Sequence, residues 1–218
     1  MKIMQCWDDG VSNDERLTEL LRKYNAKATF NIIPGLHGKS RIFTSVYGNT
    51  FKSYRLALDE MKDIYKGFKV AGHSMTHPKL AELDAQTLER EIVDCKDFIQ
   101  NFFGQQECGF AYPYGNYNDA VKQALANAGY RYARTVKNIN GALPLDDPME
   151  LPSHCHFLNP DFWKKYEEVR AIDGIFYFWG HSYEMMDDPK MWDEFESKLD
   201  RIKSDSKAQW IDIIDLFV

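Results

Sequence analysis

A chain of 218 residues, 44% of them hydrophobic, is long enough to bury one substantial core, and no linker, repeat or low-complexity tract divides it, so one domain spanning 1–218 is expected. The formal charge of −6, with no Lys/Arg cluster, argues against nucleic acid as a partner. There is no cationic leader before the first strand at Lys2 and no apolar run of about eighteen residues, so a soluble, cytoplasmic protein without a membrane partner is the expectation.

Apolar runs rich in branched and aromatic residues alternate with helical patterns. The spacing predicts a strand over Lys2–Trp7, a helix over Asp14–Tyr24 carrying Leu17, Leu20 and Leu21, and a strand over Ala28–Ile33. A Gly/Ser/Asn-rich excursion at Pro34–Thr50 reads as a rim loop, followed by a helix near Tyr54–Tyr65 and a strand at Phe68–Ala71. Then come helix Asp84–Phe103, strand Cys108–Tyr112, helix Asn118–Ala128, strand Tyr130–Thr135 and a short strand at Glu150–Leu151. Helix Pro160–Val169, strand Gly174–Trp179, helix Pro189–Lys203, strand Ala208–Trp210 and a short terminal helix complete the series. Such repeats imply an α/β fold with a parallel sheet, closed or nearly closed as a distorted (β/α)7-8 barrel of the TIM-like kind. Asp8, Asp9, Asn31, His73, Tyr112, Arg134 and His181 all fall at or just beyond the carboxyl ends of these strands, where barrel enzymes assemble their sites. The pattern implies no particular oligomeric state.

Two motifs carry the chemistry. Asp8 and Asp9 close the first strand, and His73-Ser74-Met75-Thr76-His77 follows the third. Two adjacent carboxylates with a His-x3-His pair can hold a divalent metal and leave one carboxylate free as a base, the combination of a hydrolase. Extended, Asp8 and Asp9 would face opposite ways, but Gly10 permits a turn that brings both to one cavity. Alone, Asp-Asp-Gly also reads as a turn or helix N-cap. On a helical turn, His73 and His77 would share a face, with Pro78 limiting that turn. Cys6, Cys95, Cys108 and Cys155 are irregularly spaced and read as reduced, buried thiols; Cys155, between His154 and His156, reads as core before ligand.

These residues resemble the polysaccharide deacetylases with a NodB homology domain, the fourth family of carbohydrate esterases. Cys6-Trp7-Asp8-Asp9-Gly10 is similar to the first family motif, His73 to His77 to the second, Phe110 to Gly115 to the third, and Trp179-Gly180-His181 to the fifth; Ala26 to Phe30 is similar to the second barrel strand. The resemblance runs from residue 3 to about residue 184 in the family's order. It implies that Asp9, His73 and His77 hold a divalent metal, zinc by preference, with Asp8 as general base and His181 as general acid. It also implies that the metal and the backbone N–H of Tyr114 stabilise the oxyanion. The substrate implied is an acetylated carbohydrate, and His181 favours an amide over an ester because an amine leaves only when protonated. Tyr112, Trp179 and Tyr183 flank the motifs and are expected to line the substrate groove. His154 and His156, alternating on one strand, are expected to face the same way, with His156 reaching substrate.

The chain departs from the family at two places. Ala111 stands where the third motif usually has an Arg that pairs with the base, and Arg134 on the neighbouring strand is the expected replacement, against an ordinary salt bridge. The fourth motif, an acidic element that tunes the general acid, has no recognisable counterpart in 137–152; Asp146 and Asp147 fall in the interval but read first as a turn. Three alternatives therefore remain: hydrolysis of another C–N bond in a cyclic amide or ureide, hydrolysis of an O-acetyl ester, and a carbohydrate-binding protein without catalysis.

Overall fold

In the computed structural model, which describes residues 1–44, 49–186 and 188–218, the alternation becomes a parallel sheet wrapped by helices. The elements are β1 (Lys2–Asp8), α1 (Asp14–Lys23), β2 (Thr29–Ile32), β3 (Ser40–Thr44), β4 (Thr50–Tyr54), α2 (Leu58–Ile64), β5 (Lys69–Gly72) and α3 (Ala85–Phe103). They continue with β6 (Phe110–Ala111), α4 (Asp119–Asn127), β7 (Ala133–Asn138), β8 (Leu151–Ser153), β9 (Cys155–His156), α5 (Phe162–Ala171), β10 (Ile175–Gly180), α6 (Pro189–Ser204) and β11 (Gln209–Trp210), with short 3-10 turns between. Among the described residues no helix is long and apolar enough to cross a membrane.

The main sheet runs β8-β7-β6-β5-β2-β1-β10-β9 with parallel pairings, and β11 adds beside β1. Its hydrogen-bond ladder stays open between β8 and β9, yet these two are one stretch of chain interrupted at His154. Ile139 N–H donates to Ser153 O at 2.9 Å on one side, and His154 N–H to Tyr177 O at 2.8 Å on the other. Leu151–His156 thus spans both edges, which makes the sheet a distorted barrel. The interruption also corrects the expectation for the two histidines. His154 is buried on Phe176, its Nε2 at 3.0 Å from Gly141 O, whereas His156 packs against Trp179 on the way to the rim.

The predicted excursion at Pro34–Thr50 is partly structured. A 3-10 turn at Pro34–Leu36 is followed by β3, which pairs antiparallel with β4 as a separate ribbon; residues 45–48 of that excursion lie outside the described residues. Alternating Phe51, Ser53 and Arg55 marked this ribbon, and its polar composition hid it.

Packing follows the apolar spacing. Leu17 and Leu21 of α1 and Ile92, Cys95 and Ile99 of α3 are fully buried against the sheet. Trp7 is fully buried between the rings of Phe157 and Phe195, both 5.1 Å away, and its Nε1–H donates to Gln5 Oε1 at 3.0 Å. Gly180 makes room for this cluster, because a Cβ there would stand 2.2 Å from the Phe157 ring. All four cysteines are buried and unpaired, and burial pushes the Cys155 thiol up to about 12, outside the range of a ready metal ligand.

One buried carboxyl ties the first helix to the turn after β10. Asp14, at the start of α1, accepts from Ser182 Oγ at 2.5 Å and from Tyr65 OH at 2.6 Å, so it anchors the turn that follows His181. Burial pushes its carboxyl up to about 7, against the opposing hydrogen bonds. A folded-state pKa above the unfolded value contributes stability that is full below the unfolded value near 3.8 and is lost as pH rises through about 7. Denaturation at pH 5 and pH 8.5 should therefore show wild type losing a few kcal/mol that Asp14→Asn does not lose. Parallel losses in both proteins would remove Asp14 from that role.

Candidate active site

Asp8 ends β1 beside Asn31 of β2, in register with it, and the chain leaves the sheet immediately afterwards. Asp9 takes φ +82° and Gly10 φ +65°, two successive left-handed residues, and this turns Asp9 back toward the cavity that Asp8 already faces. A non-glycine residue in that region is strained, and Asp9 N–H bonding to Asn31 O at 3.0 Å helps hold it there. Both carboxylates are buried.

Asp8 is clamped on both oxygens. Asn31 Nδ2–H donates to Oδ1 at 2.7 Å, and Arg134 Nη2–H donates to Oδ2. Burial alone would raise the Asp8 carboxyl, but the Arg134 guanidinium, with His73 and His181 nearby, holds it well below the usual carboxylate range. Arg134 itself is fully buried, its guanidinium carbon 4.5 Å from the centroid of the Trp179 ring. It comes from β7, next to β6, so a guanidinium one strand over reaches the place that Ala111 leaves vacant. Removing one partner of a buried pair leaves an uncompensated charge, so Arg134→Ala should destabilise the fold by about 3–5 kcal/mol. We expect Arg134→Lys, which keeps the charge but not the planar fork, to fold and to reduce turnover far more than metal affinity; unchanged turnover would remove Arg134 from the mechanism.

The histidine pair is not helical. Ser74 and His77 have φ near +60°, and the 73–77 loop is held by α3: Met75 N–H donates to Glu91 O, while Thr76 N–H and Oγ1–H donate to the Glu91 carboxylate at 2.8 and 2.5 Å. Pro78 and this tether displace the helical turn expected from the spacing. His73 Nδ1 lies 2.7 Å from Ala111 O, which can only accept, so Nδ1 carries the proton and Nε2 offers its lone pair. His77 Nε2 lies 3.1 Å from His73 Nε2, and Asp9 Oδ1 is 3.8 Å from His77 Nε2 and 4.0 Å from His73 Nε2. That oxygen is buried without a hydrogen-bond partner among the described residues, while Arg41 occupies the other one at 2.8 Å. Burial lowers both histidines, His77 to about 3, so both imidazoles are neutral as ligands must be. An orphan carboxylate oxygen and two imidazole nitrogens around one point fit a divalent cation.

His181 follows β10 on the opposite side, with Nε2 4.0 Å from Asp8 Oδ2. Its Nδ1 lies 3.2 Å from Glu184 Oε2, off the line of a good hydrogen bond, and its backbone N–H donates to the same oxygen at 3.0 Å. Burial alone would lower the ring, but the Glu184 carboxylate overrides it and pushes His181 up to about 9. His156 Nε2 also meets Glu184 Oε2, at 2.9 Å. His156, His181 and Glu184 are grouped tightly enough to hold a metal, but Leu158 N–H donates to His156 Nδ1 at 3.3 Å, which leaves the proton on Nε2 facing Glu184. The group is therefore a carboxylate set between two imidazoles, acting on His181 by its charge.

Of the expected groove residues, Trp179 and Tyr183 line the pocket around Asp8 and Asp9, a cavity of about 210 Å³. Tyr112 also lines it, but it is buried, stacked on Tyr117, and its hydroxyl donates to Met149 O at 2.8 Å, so it is a wall and not a free sugar-binding hydroxyl. Tyr114, at φ +57°, is exposed and sets its ring over His77 at 4.5 Å. His156 lies outside this pocket and borders a neighbouring cleft. Asp147 caps a 3-10 turn and pairs with Lys122, which places it away from His181, as its turn pattern predicts. Two contacts were not foreseen in the sequence, that of Arg41, which arrives from the β3-β4 ribbon, with Asp9 and that of Glu184 with His181. The signal for Glu184 was its position three residues after His181.

The polysaccharide deacetylase family description matches residues 1–133. The chain belongs to the polysaccharide deacetylase family. It is 36% identical over 66 residues to a chitooligosaccharide deacetylase of Rhizobium leguminosarum bv. trifolii, covering 30% of this chain and 31% of that protein. It is 27% identical over 127 residues to a peptidoglycan-N-acetylglucosamine deacetylase of Bacillus cereus, covering 57% and 52%. The chain thus matches about a third to a half of the length of these relatives. The Xyl-CE4 domain of a multidomain xylanase from the hindgut metagenome of Trinervitermes trinervoides shares the fold at TM-score 0.62 and 17% identity, over 99% of this chain and 89% of that one.

Proposed function

We propose that this chain is a divalent-metal-dependent hydrolase that removes N-acetyl groups from a glycan, an oligosaccharide or an amino-sugar derivative. The observation that carries the reading is the convergence of the orphan Asp9 Oδ1 with His73 and His77 Nε2, beside a clamped carboxylate and across from a raised histidine. Asp9, His73 and His77 would hold the ion, with zinc favoured by a donor set of two imidazoles and one carboxylate, and when bound it supplies a Lewis acid that polarises the acyl oxygen and acidifies water.

The chain's own residues do the rest. Asp8, ionised across the ordinary pH range and unable to rotate, takes the proton of the attacking water at its carboxylate. The Tyr114 N–H, presented by a left-handed residue at the pocket rim, is the donor for the developing oxyanion. His181 gives its Nε2 proton to the departing nitrogen, and Glu184 with His156 keeps that proton in place. Trp179 and Tyr183 exclude water around the acetyl group.

The test is acetate release by the metal-loaded protein from matched N-acetyl and O-acetyl saccharides, with Asp8→Asn as blank. Acetate from the N-acetyl members, absent with the variant, is the expected result. No acetate from any member despite one bound ion per chain would overturn the reading.

A further inference from the structure

Asp9 presents its two oxygens to different partners. Oδ1 faces the imidazole pair with no hydrogen bond among the described residues, whereas Oδ2 accepts from Arg41 Nη1–H at 2.8 Å. Arg41 comes from β3, outside the main sheet, and the ribbon that carries it is tied to the stretch of chain that follows Asp9. Leu56 N–H donates to Gly10 O at 2.9 Å, Ser12 N–H donates to Tyr54 O at 2.7 Å, and Val11 and Arg55 form an antiparallel bridge between them. Gly38 N–H to Leu56 O at 3.1 Å and Arg55 N–H to Lys39 O at 3.0 Å close the base of the ribbon. Side chains alternate between the faces of a strand, so Ile42, 71% exposed, marks the outer face of β3 and Arg41, opposite buried Ser53, the inner one. There the guanidinium lines the pocket, its carbon 5.9 Å from the centroid of the Tyr183 ring.

Such a contact constrains the ligand as well as the fold. A carboxylate free at both oxygens can turn away from a cation or close on it with both. With Oδ2 engaged by Arg41, only Oδ1 is left to donate. The left-handed Asp9-Gly10 turn that aims this side chain persists only where its surroundings hold it, and the ribbon does so through Gly10 and Ser12 while Asn31 O does so through Asp9 N–H. A guanidinium beside the carboxylate also repels a dication, but the Arg41 side chain is 37% exposed, so solvent screens that repulsion and the orienting effect wins. We propose that Arg41 is a positioning residue of the metal centre, holding Asp9 as a one-oxygen ligand aimed at His73 and His77 Nε2, and that the β3-β4 ribbon is the strap that delivers it. The inference rests on the ligand assignment made above.

Zinc affinity by chelator competition, the visible spectrum of the cobalt(II)-loaded protein and acetate release at saturating metal are measured on wild type, Arg41→Met, Arg41→Lys and Asp9→Ala. Both Arg41 replacements are unbranched and lie on a ribbon outside the barrel, so the fold is kept. Losing a group that orients a ligand costs roughly 10–100-fold in metal affinity, so Arg41→Met should weaken zinc by that much, and Arg41→Lys, which can still donate to Oδ2, should recover most of it. The cobalt band should weaken in Arg41→Met as the freed oxygen raises the coordination number, and kcat should fall with KM nearly unchanged. Zinc bound by Arg41→Met as tightly as by wild type or more so, an unchanged cobalt spectrum, or a zinc loss that Arg41→Lys does not recover overturns the proposal. Zinc retained by Asp9→Ala overturns the ligand assignment and the proposal together. One bound zinc in wild type without acetate release overturns the deacetylase reading and leaves the role of Arg41 standing.

Discussion

Asp8→Asn is expected to bind one divalent ion as tightly as wild type and to lose about 10²–10⁴-fold of acetate release, the range for removing a positioned base. The amide oxygen still accepts from Arg134, and its NH2 faces Asn31, whose own amide can turn to offer its oxygen, so the pocket stays formed while the proton acceptor is lost. His77→Ala should give the opposite dissociation. It removes one of three ligand atoms grouped around a single point, so the ion is lost and activity goes with it. Equilibrium dialysis with metal analysis, run on both variants beside the acetate assay, separates the two roles. Equal metal loss in both variants would make Asp8 a ligand and end its assignment as base.

Glu184→Gln should move the alkaline limb of the kcat profile downward. The acid form of His181 is present below its pKa, which Glu184, with Asp9 and Asp8, pushes up to about 9 in the metal-free protein; without the Glu184 carboxylate, burial draws it down. A cation on Asp9 offsets the share of the shift owed to the two aspartates, but the contribution of Glu184 keeps its sign. The variant should therefore lose activity above neutral pH on an N-acetyl amide, by about tenfold for each unit of displacement. It should change little on an acetyl ester whose leaving group needs no proton. An unaltered profile on the amide, or equal losses on both substrates, would assign Glu184 a merely structural part. His156→Phe, which removes the second donor to Glu184, should show the same effect at smaller size.

Much of the site was legible because it is made of residues at strand ends. Asp8, Asp9, His73 and His181 sit where parallel strands deliver their carboxyl termini to one rim, and period-two and period-3.6 patterns locate those ends to within a few residues. Less was legible where the backbone departs from regular geometry. The 73–77 spacing suggested a helical turn, but left-handed Ser74 and His77 and the Glu91 tether give a loop, a conformation that no periodicity announces. The His154 interruption likewise separates two histidines that strict alternation would have put on one face.

Apart from the β3-β4 ribbon, the main element types, the parallel barrel and the conjunction of an acidic pair with a histidine pair were therefore settled by order and composition, since local propensity and burial periodicity act over a few residues. Two things waited on the folded chain, the carboxylate that stands behind His181 and the cleft beside Trp179, and a third, Arg134 as the replacement for the missing third-motif arginine, was offered by the sequence only as one of two readings. Arg134 and Asp8 are 126 positions apart and meet only because β7 and β1 curve around one interior. Such pairings depend on distances that closure of the barrel sets, and closure is a property of all the strands together.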